Sequence, residues 1–436
     1  MLHKSFHYNS INDVTATMRE TATEFPLSEN FSVLGNSYDL GSKKVKNRIL
    51  FQPMEASDSE YDGSPGELTY RRYERYAKGG PGIIWVEAVA IANEARAGMH
   101  QLYMTAKNLD PFKRLTENTK SACMKENGFE PILIMQSTHA GRYSKNDSGA
   151  APLIAANNPL FEKDSTIPKD RILSDDDLKS LVPLFGESAK LAVEAGFDGI
   201  DIKACHRYLI NELLCAHTRE GSYGGSFENR IRLLLEALEA VSASITKDMI
   251  LTTRLNVYDG FPYPYGFGVS KEASLTPDLS EPLALIGKLK EKFGMKLINI
   301  TAGNPYVNPH VTRPYDNGNY VPDEHPFEGV SRITGLAATV QKEFPDIAVV
   351  CSGLSYLRRF SDRLAAGMIE SGAATFAGFG RMTFAYPDFP KDIIAGSELN
   401  EKKVCMACGQ CTKLLRAGKK AGCVIRDREA YSLVDM

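Results

Sequence analysis

Short apolar runs alternate with longer amphipathic stretches along the chain from residue 47 to about residue 395. Each run is rich in Ile, Val or Leu and lacks strict alternation with polar residues, which is typical of a parallel strand covered on both faces. The eight runs lie at residues 47–53, 82–90, 131–136, 199–203, 249–255, 297–301, 347–352 and 373–378. Eight strands separated by helices favour an α/β fold whose sheet closes into a (β/α)8 TIM barrel over a doubly wound sheet.

The amphipathic stretches between the runs predict the helices of this barrel, most clearly at residues 175–195, 228–245 and 282–293. Ser174 precedes the first helix and is followed by three aspartates, which predicts an N-cap and a favourable interaction with the helix dipole. Long segments at residues 143–168 and 256–277 follow the third and fifth strands. We therefore expect them on the face of the barrel where active sites are built.

The predicted barrel divides the chain into an N-terminal extension (residues 1–30), the barrel (residues 31–398) and a short C-terminal segment (residues 399–436). The 436 residues are 43% hydrophobic and 24% charged, with a formal net charge of −3, which is an ordinary globular composition. No apolar run reaches the length of about 18 residues that a membrane span needs, and the N-terminus lacks the apolar core of a signal peptide. We therefore expect a cytoplasmic protein, and the balanced charge argues against nucleic-acid binding.

Four of the eight cysteines crowd the C-terminal segment. Three are equally spaced and the fourth follows after a short excursion, at Cys405, Cys408, Cys411 and Cys423. This spacing lets three thiolates converge on one face of a cubane, so it predicts a [4Fe–4S] cluster, with a four-thiolate zinc site as the alternative. The basic side chains around these cysteines form either a solvated face or a docking surface for an acidic electron-donor protein.

Four segments carry a resemblance to a known family. They are KNRILFQPM (residues 46–54), HAGRY (139–143), a long segment at 196–233 that contains YGGSFENR (223–230), and GFGR (378–381). Together they resemble the old yellow enzyme family of FMN-dependent barrels. The four-cysteine segment resembles the iron–sulfur branch of that family, which includes 2,4-dienoyl-CoA reductase and trimethylamine dehydrogenase, although neither cysteine spacing is matched. Large members of this branch continue into FAD- and pyridine-nucleotide-binding domains, and no Gly-x-Gly-x-x-Gly turn is found here.

The resemblance implies an FMN site at the C-terminal mouth of the barrel. Its implied contacts are Pro53, Met54, Glu55, Ala88, Gln136, Arg254, Gly353, Gly380 and Arg381. Gln136 would hydrogen-bond the pyrimidine edge of the flavin, since an amide can donate and accept together. Arg254 would stabilise the reduced flavin, and Gly353, Gly380 and Arg381 would hold the phosphate.

The segment DIKACHRYL (residues 201–209) carries the implied chemistry. By resemblance, Lys203 and His206 hold a substrate carbonyl oxygen while Tyr208 protonates the neighbouring carbon. Two residues depart from the family pattern, because Lys203 stands where histidine is usual and Glu55 where threonine or cysteine is usual. These two opposite charges are expected either to pair or to leave Lys203 as a cationic oxyanion donor. Separately, Glu55 beside a flavin is expected to lower the flavin potential.

The resemblance thus implies an ene-reductase that reduces the C=C bond of an α,β-unsaturated carbonyl compound. An aromatic loop suggests a flavonoid, steroid or cinnamoyl-type substrate; its aromatic residues are Tyr258, Phe261, Tyr263, Tyr265 and Phe267. An amine dehydrogenase and a non-catalytic electron-transfer subunit are the alternatives. The electron source is left open between NAD(P)H, a separate donor protein and a ferredoxin-like carrier, and a homo-oligomer is also left open.

Overall fold

The computed structural model describes residues 3–163, 166–316 and 321–432 and contains a closed barrel of eight parallel strands. The strands are β1 (Ile49–Phe51), β2 (Ile83–Ala90), β3 (Ile132–Thr138), β4 (Gly199–Ile202), β5 (Ile250–Tyr258), β6 (Leu297–Ala302), β7 (Ala348–Cys351) and β8 (Phe376–Phe379). Each strand pairs in parallel with the next one in sequence, and β8 pairs with β1 to close the sheet. All eight predicted strands are confirmed, with small differences at their ends.

Helices cover the outside of the barrel and its two ends. They are α1 (Ile11–Glu20), α2 (Ser32–Gly35), α3 (Glu67–Lys78), α4 (Leu109–Asn127), α5 (Asp175–Glu194), α6 (Leu209–Leu214), α7 (Phe227–Arg230), α8 (Arg232–Ser242), α9 (Ser280–Phe293), α10 (Pro309–Thr312), α11 (Pro326–Glu343), α12 (Ser361–Glu370), α13 (Arg381–Ala385), α14 (Phe389–Ile394) and α15 (Gln410–Arg416). Ser174 caps α5 as predicted, since its Oγ accepts a 3.1 Å hydrogen bond from the Asp177 N–H. The helix predicted at residues 228–245 is instead two helices, α7 and α8, separated at Ile231, whose ψ is −8°.

The strands sort their side chains between two apolar clusters. On β2, Ile83 and Trp85 belong to a small cluster, whereas Ile84 and Val86 belong to a much larger one. Successive side chains of a strand point to opposite faces, so the small cluster fills the barrel and the large one lies between the strands and the helices. The short antiparallel strands Tyr38–Asp39 and Lys44–Val45 close the N-terminal end of the barrel.

The barrel boundaries predicted at residues 30 and 398 stay a prediction. Among the described residues, no helix combines the length and the apolar character that a membrane crossing requires.

The parallel strands give the barrel a direction. Its eight strands all end on one face, and the side chains that follow them meet there.

Candidate active site

The inside of the barrel turns polar towards the C-terminal ends of its strands. Inside the barrel, the apolar residues Leu50, Leu297 and Val350 are each followed two residues later by a polar residue, which is Gln52, Asn299 and Ser352 respectively. On β5, the inward-facing side runs from the apolar Ile250 to Arg254. A cleft of about 970 Å³ opens above this polar layer and is called the mouth cleft here. It is lined by predicted site residues Pro53, Met54, Glu55, Lys203, His206, Tyr208, Arg254, Gly353, Gly380 and Arg381.

Two predicted flavin contacts, Ala88 and Gln136, do not line the mouth cleft. They are register partners on β2 and β3, and both are buried. The side-chain amide of Gln136 donates to the Asp201 carboxylate at 2.6 Å, and the Ala88 carbonyl accepts from the Gln101 amide at 3.1 Å. Burial raises the pKa of Asp201 to about 6. Both side chains therefore lie below the cleft, and their contacts with a flavin stay predictions.

The two family departures, Glu55 and Lys203, form an ion pair. Lys203 Nζ lies 2.6 Å from Glu55 Oε1, and the two side chains are 3% and 16% exposed. The ammonium also lies 3.4 Å from the centre of the Tyr208 ring. Of the two expectations for these residues, pairing is confirmed. The ammonium of Lys203 is committed to the Glu55 carboxylate and to the Tyr208 ring.

Tyr208 donates its phenolic hydrogen to the same carboxylate. Its oxygen lies 3.0 and 2.9 Å from the two Glu55 oxygens, and the Tyr306 hydroxyl lies 3.2 Å away. Burial and the neighbouring Glu55 raise the pKa of Tyr208 well above its usual value. The phenol is therefore fully protonated at neutral pH, as a general acid must be before it acts.

His206 is held in a conformation that L-residues seldom adopt. Its φ is +63°, the next residue, Arg207, has the same value, and the His206 N–H donates to Asn256 Oδ1 at 3.4 Å. Such left-handed positions cost free energy and are found where a side chain must be aimed. The Nε2 atom is buried without a hydrogen-bond partner, and burial lowers the pKa of the imidazole well below its usual value. His206 therefore offers the mouth cleft a neutral imidazole.

Three arginines on the wall of the mouth cleft carry no ion pair within the described parts of the chain: Arg254, Arg313 and Arg381. Buried polar atoms without a partner include Arg254 Nε, Arg381 Nη1 and Thr301 Oγ1. Burial, with Arg381 nearby, lowers the pKa of Arg313 to about 9. Buried cations without carboxylates need an anionic ligand, and a phosphate meets that need.

The glycines at the same end leave room for that anion. Gly353 has a φ of +81°, and its N–H lies at the start of the helical turn Leu354–Phe360. Gly380 precedes α13, and a Cβ atom there would lie 3.0 Å from Met54 Sδ. Helix starts present free N–H groups to anions. The residues present thus fit the phosphate and the flavin of FMN, as the resemblance implied.

Arg313 and Tyr306 are among the residues of this cleft that sequence reasoning missed. Both follow β6 in a segment without a family motif, so only their position after a barrel strand could have marked them. Tyr306 stacks on Tyr143 with ring centres 4.1 Å apart, and the Asn304 amide donates to the Tyr143 hydroxyl at 2.7 Å. Burial raises the pKa of Tyr143 to about 12.

The predicted aromatic loop lies away from the mouth cleft. Within the described residues, none of its five aromatic side chains lines the cleft. Phe261 instead packs on Phe161 with ring centres 5.4 Å apart, and Tyr263 is 39% exposed beside His217. These rings pack against other segments of the chain, and the suggestion of a flavonoid, steroid or cinnamoyl-type substrate stays a prediction.

The four C-terminal cysteines surround one small cavity, the cysteine cavity, of about 360 Å³. A zinc site needs its sulfurs within about 4 Å of one another, since each lies about 2.3 Å from the ion. Among the described residues, no group of three or more His, Cys, Asp or Glu side chains is arranged to hold a metal ion. The predicted [4Fe–4S] cluster and the alternative zinc site therefore both stay predictions. Arg381 lines both this cavity and the mouth cleft.

Comparison with known proteins places these features in a family context. A family model described as the NADH:flavin oxidoreductase / NADH oxidase family matches residues 36–275. The NADPH dehydrogenase of Bacillus pumilus (strain SAFR-032) is 31% identical over 274 residues, which are 62% of this chain and 73% of the relative.

Two further proteins match nearly the whole chain but are longer. The NADH oxidase of Thermoanaerobacter brockii is 26% identical over 379 residues, which are 85% of this chain and 52% of the relative. A 2-naphthoyl-CoA reductase, solved in complex with 2-naphthoyl-CoA, superposes with a TM-score of 0.75 at 18% identity, over 91% of this chain and 57% of that one. This chain therefore spans little more than half the length of either protein, and the second likeness shows the fold alone.

Proposed function

The chain belongs to the NADH:flavin oxidoreductase / NADH oxidase family, the old yellow enzyme family, and on this premise we propose that it is an FMN-dependent ene-reductase. The proposed substrate is a small α,β-unsaturated carbonyl compound, and NADH or NADPH is the proposed electron donor. The observation that carries the proposal is the meeting on one cleft of Tyr208, His206 and three arginines that have no ion pair among the described residues. Such a cleft joins an anion site to a protonated acid.

FMN, when bound, supplies the hydride that is added to the alkene. The remaining tasks belong to side chains of this chain. Hydride addition leaves negative charge on the carbonyl oxygen, and His206 Nε2, as the N–H tautomer, is the unsatisfied donor that can hold it. Tyr208 then gives its phenolic proton to the neighbouring carbon. Lys203 was predicted to hold the oxygen as well, but we assign it to positioning Glu55 and Tyr208, because its ammonium is bound to that pair.

The charges on the cleft argue against the amine dehydrogenase alternative. Lys203, Arg254, Arg313 and Arg381 line the mouth cleft, and Glu55 is the carboxylate among its described lining residues. An ammonium substrate would enter a site with more cations than anions and without a free carboxylate to receive it. The same surplus of positive charge suits a flavin phosphate and an electron-rich carbonyl group. A protein that only transferred electrons would need neither the protonated phenol of Tyr208 nor the strained backbone of His206.

The proposed function is tested with reduced protein. The protein is purified without oxygen, reduced with NADH, NADPH or light, and mixed with a series of enones and enoates while the flavin absorbance is followed. We expect rapid reoxidation by at least one of the alkenes and none by the saturated ketone of the same skeleton. In Tyr208→Phe, we expect flavin reduction to persist and reoxidation by the alkene to slow by about 10²–10⁴-fold. A reduced protein that no alkene reoxidises, or an oxidised protein that amines reduce directly, would contradict the proposal.

The cysteine cavity carries a separate part of the proposal. We propose that it holds a [4Fe–4S] cluster and that electrons from a donor protein can enter by this route. What supports the proposal is the arrangement of all four cysteines around one cavity that shares Arg381 with the mouth cleft. Iron and acid-labile sulfide analysis of the protein purified without oxygen tests this assignment. Stoichiometric zinc with no iron would contradict it.

A further inference from the structure

Tyr208 can meet solvent through the mouth cleft, where the flavin and the substrate are proposed to bind. Its side chain is buried, with 1% of the residue exposed. Among the described residues, the hydroxyl hydrogen-bonds to the Glu55 carboxylate and the Tyr306 hydroxyl. If the proposed function holds, each turnover removes the phenolic proton of Tyr208. A replacement that does not wait for the mouth cleft to empty must come through one of these two neighbours.

Glu55 borders a second opening in the protein. This second cleft measures about 1,010 Å³ and is separate from the mouth cleft. Glu55, Tyr306 and Leu415 line both clefts, so they form the wall between them. The lining of the second cleft includes polar side chains such as His100 and Lys145. One carboxylate thus contacts the general acid and also borders the second cleft.

The geometry points to Glu55 as the acid that returns a proton to Tyr208 from solvent in the second cleft. This assignment deepens the proposed function and rests on it. In the first step, the Tyr208 O–H bond breaks and a C–H bond forms on the substrate. A proton from water in the second cleft then binds the Glu55 carboxylate. Finally the Glu55 O–H bond breaks, the Tyr208 O–H bond forms again, and both side chains return to their starting states.

The charges around Glu55 favour this sequence of steps. Before turnover, the ammonium of Lys203 balances the Glu55 carboxylate and the phenol is neutral. After Tyr208 has given up its proton, a phenolate and a carboxylate lie about 3 Å apart in a buried site. Two such anions cannot both stay ionised without a large penalty, so the pair gains affinity for one proton. Lys203 keeps the carboxylate in contact with the phenol throughout.

Glu55 is better suited to this role than Tyr306, the other neighbour. Both side chains are partly exposed, but a carboxylate can accept a proton directly from water, whereas burial and the nearby Glu55 raise the pKa of the Tyr306 phenol far above its usual value. A phenol in that state does not exchange its proton readily. The other charged and titratable groups facing Glu55 are Cys205 and Arg254 from the barrel and Glu87, Tyr143, Lys145 and Arg416 around the second cleft.

The experiment separates the first turnover from later ones. Reduced FMN-loaded protein already carries the Tyr208 proton, so one turnover with an alkene does not need Glu55 to relay a proton. In Glu55→Gln, we expect steady-state turnover to fall at least about tenfold more than the single-turnover rate, because the single turnover starts from a protonated Tyr208. Glu55→Asp keeps a carboxylic acid and should restore most of the steady-state rate. The solvent deuterium isotope effect on steady-state turnover should increase in Glu55→Gln.

Chemical rescue gives a readout that a purely structural role would not move. In Glu55→Ala, formate can enter from the second cleft beside Lys203, so we expect it to raise steady-state turnover at least about threefold over chloride at the same ionic strength. Unchanged steady-state turnover in Glu55→Gln, or a loss confined to Tyr306→Phe, would overturn the role of Glu55 while leaving the proposed function intact. A wild-type protein that reduces no alkene would instead refute the proposed function, and this inference with it.

Discussion

The Lys203–Glu55 pair makes a quantitative prediction about stability. At the 2.6 Å separation of the charged atoms, and with an effective dielectric constant of about 20, the attraction amounts to about 6 kcal/mol. Desolvation of both groups offsets most of this gain, and removing one partner of a buried pair usually costs about 3–5 kcal/mol. Glu55 is partly exposed and keeps the hydrogen bond from Tyr208, so we expect the lower end of that range. Lys203→Met should lower the free energy of unfolding by about 3 kcal/mol.

The control for this prediction is the matched double variant Lys203→Met/Glu55→Gln. It removes both charges and leaves an amide that can still accept from Tyr208, so the two changes should compensate each other by about 2 kcal/mol. The assay is urea unfolding at pH 7 of the wild type, the two single variants and the double variant. All four proteins receive the same excess of FMN, because a bound cofactor adds to apparent stability. A loss below about 1 kcal/mol in Lys203→Met, with additive effects in the double variant, would refute the reasoning.

Three further predictions concern other parts of the molecule. Burial lowers the pKa of His139 from 6.5 to about 4, so the folded protein favours the neutral imidazole. The contribution of this group to folding stability is therefore complete above pH 6.5 and is lost as the pH falls towards 4. When the pH is lowered from 7.5 to 5, the free energy of unfolding of His139→Asn should therefore fall by about 2 kcal/mol less than that of the wild type. Urea unfolding at both pH values checks this, and equal falls in the two proteins would contradict it. Arg381→Met should weaken FMN binding by about ten- to a hundredfold in a fluorescence titration and leave riboflavin binding unchanged, because only FMN carries the phosphate; equal effects on both flavins would place the phosphate elsewhere. Cys411→Ser should remove most of the iron, whereas Cys123→Ser, a buried cysteine outside the cavity, should keep it; iron analysis decides between these outcomes.

The fold could be predicted from the sequence because its physical requirements are local. A strand buried on both faces needs a short run of apolar residues, and the runs that contain Ile83–Ala90 and Ile132–Thr138 meet that need unmistakably. Parallel neighbours joined by helices then leave few ways to close the sheet. The error at residues 228–245 arose because an amphipathic pattern does not register a turn as small as the one at Ile231.

The site could be predicted only where motifs mark it. The position of Tyr208 beside Glu55 follows from two strand ends that meet at one mouth, and the charges of Lys203 and Glu55 already suggested a pair. Arg313 and Tyr306 lie in an irregular segment after β6, where tertiary packing alone decides which side chains enter the cleft. The same reason explains why the sequence alone did not show whether the loop at residues 256–277 lines the cleft. Aromatic residues pack a loop or line a site equally well, and their composition does not separate the two.

A crystal structure of the protein with FMN tests the central claim most directly. We predict one FMN per chain in the mouth cleft, with its phosphate against Arg313 and Arg381 and its ring system facing His206 and the phenol of Tyr208. A correctly folded protein that binds no FMN, or a flavin seated anywhere other than this cleft, would contradict the account.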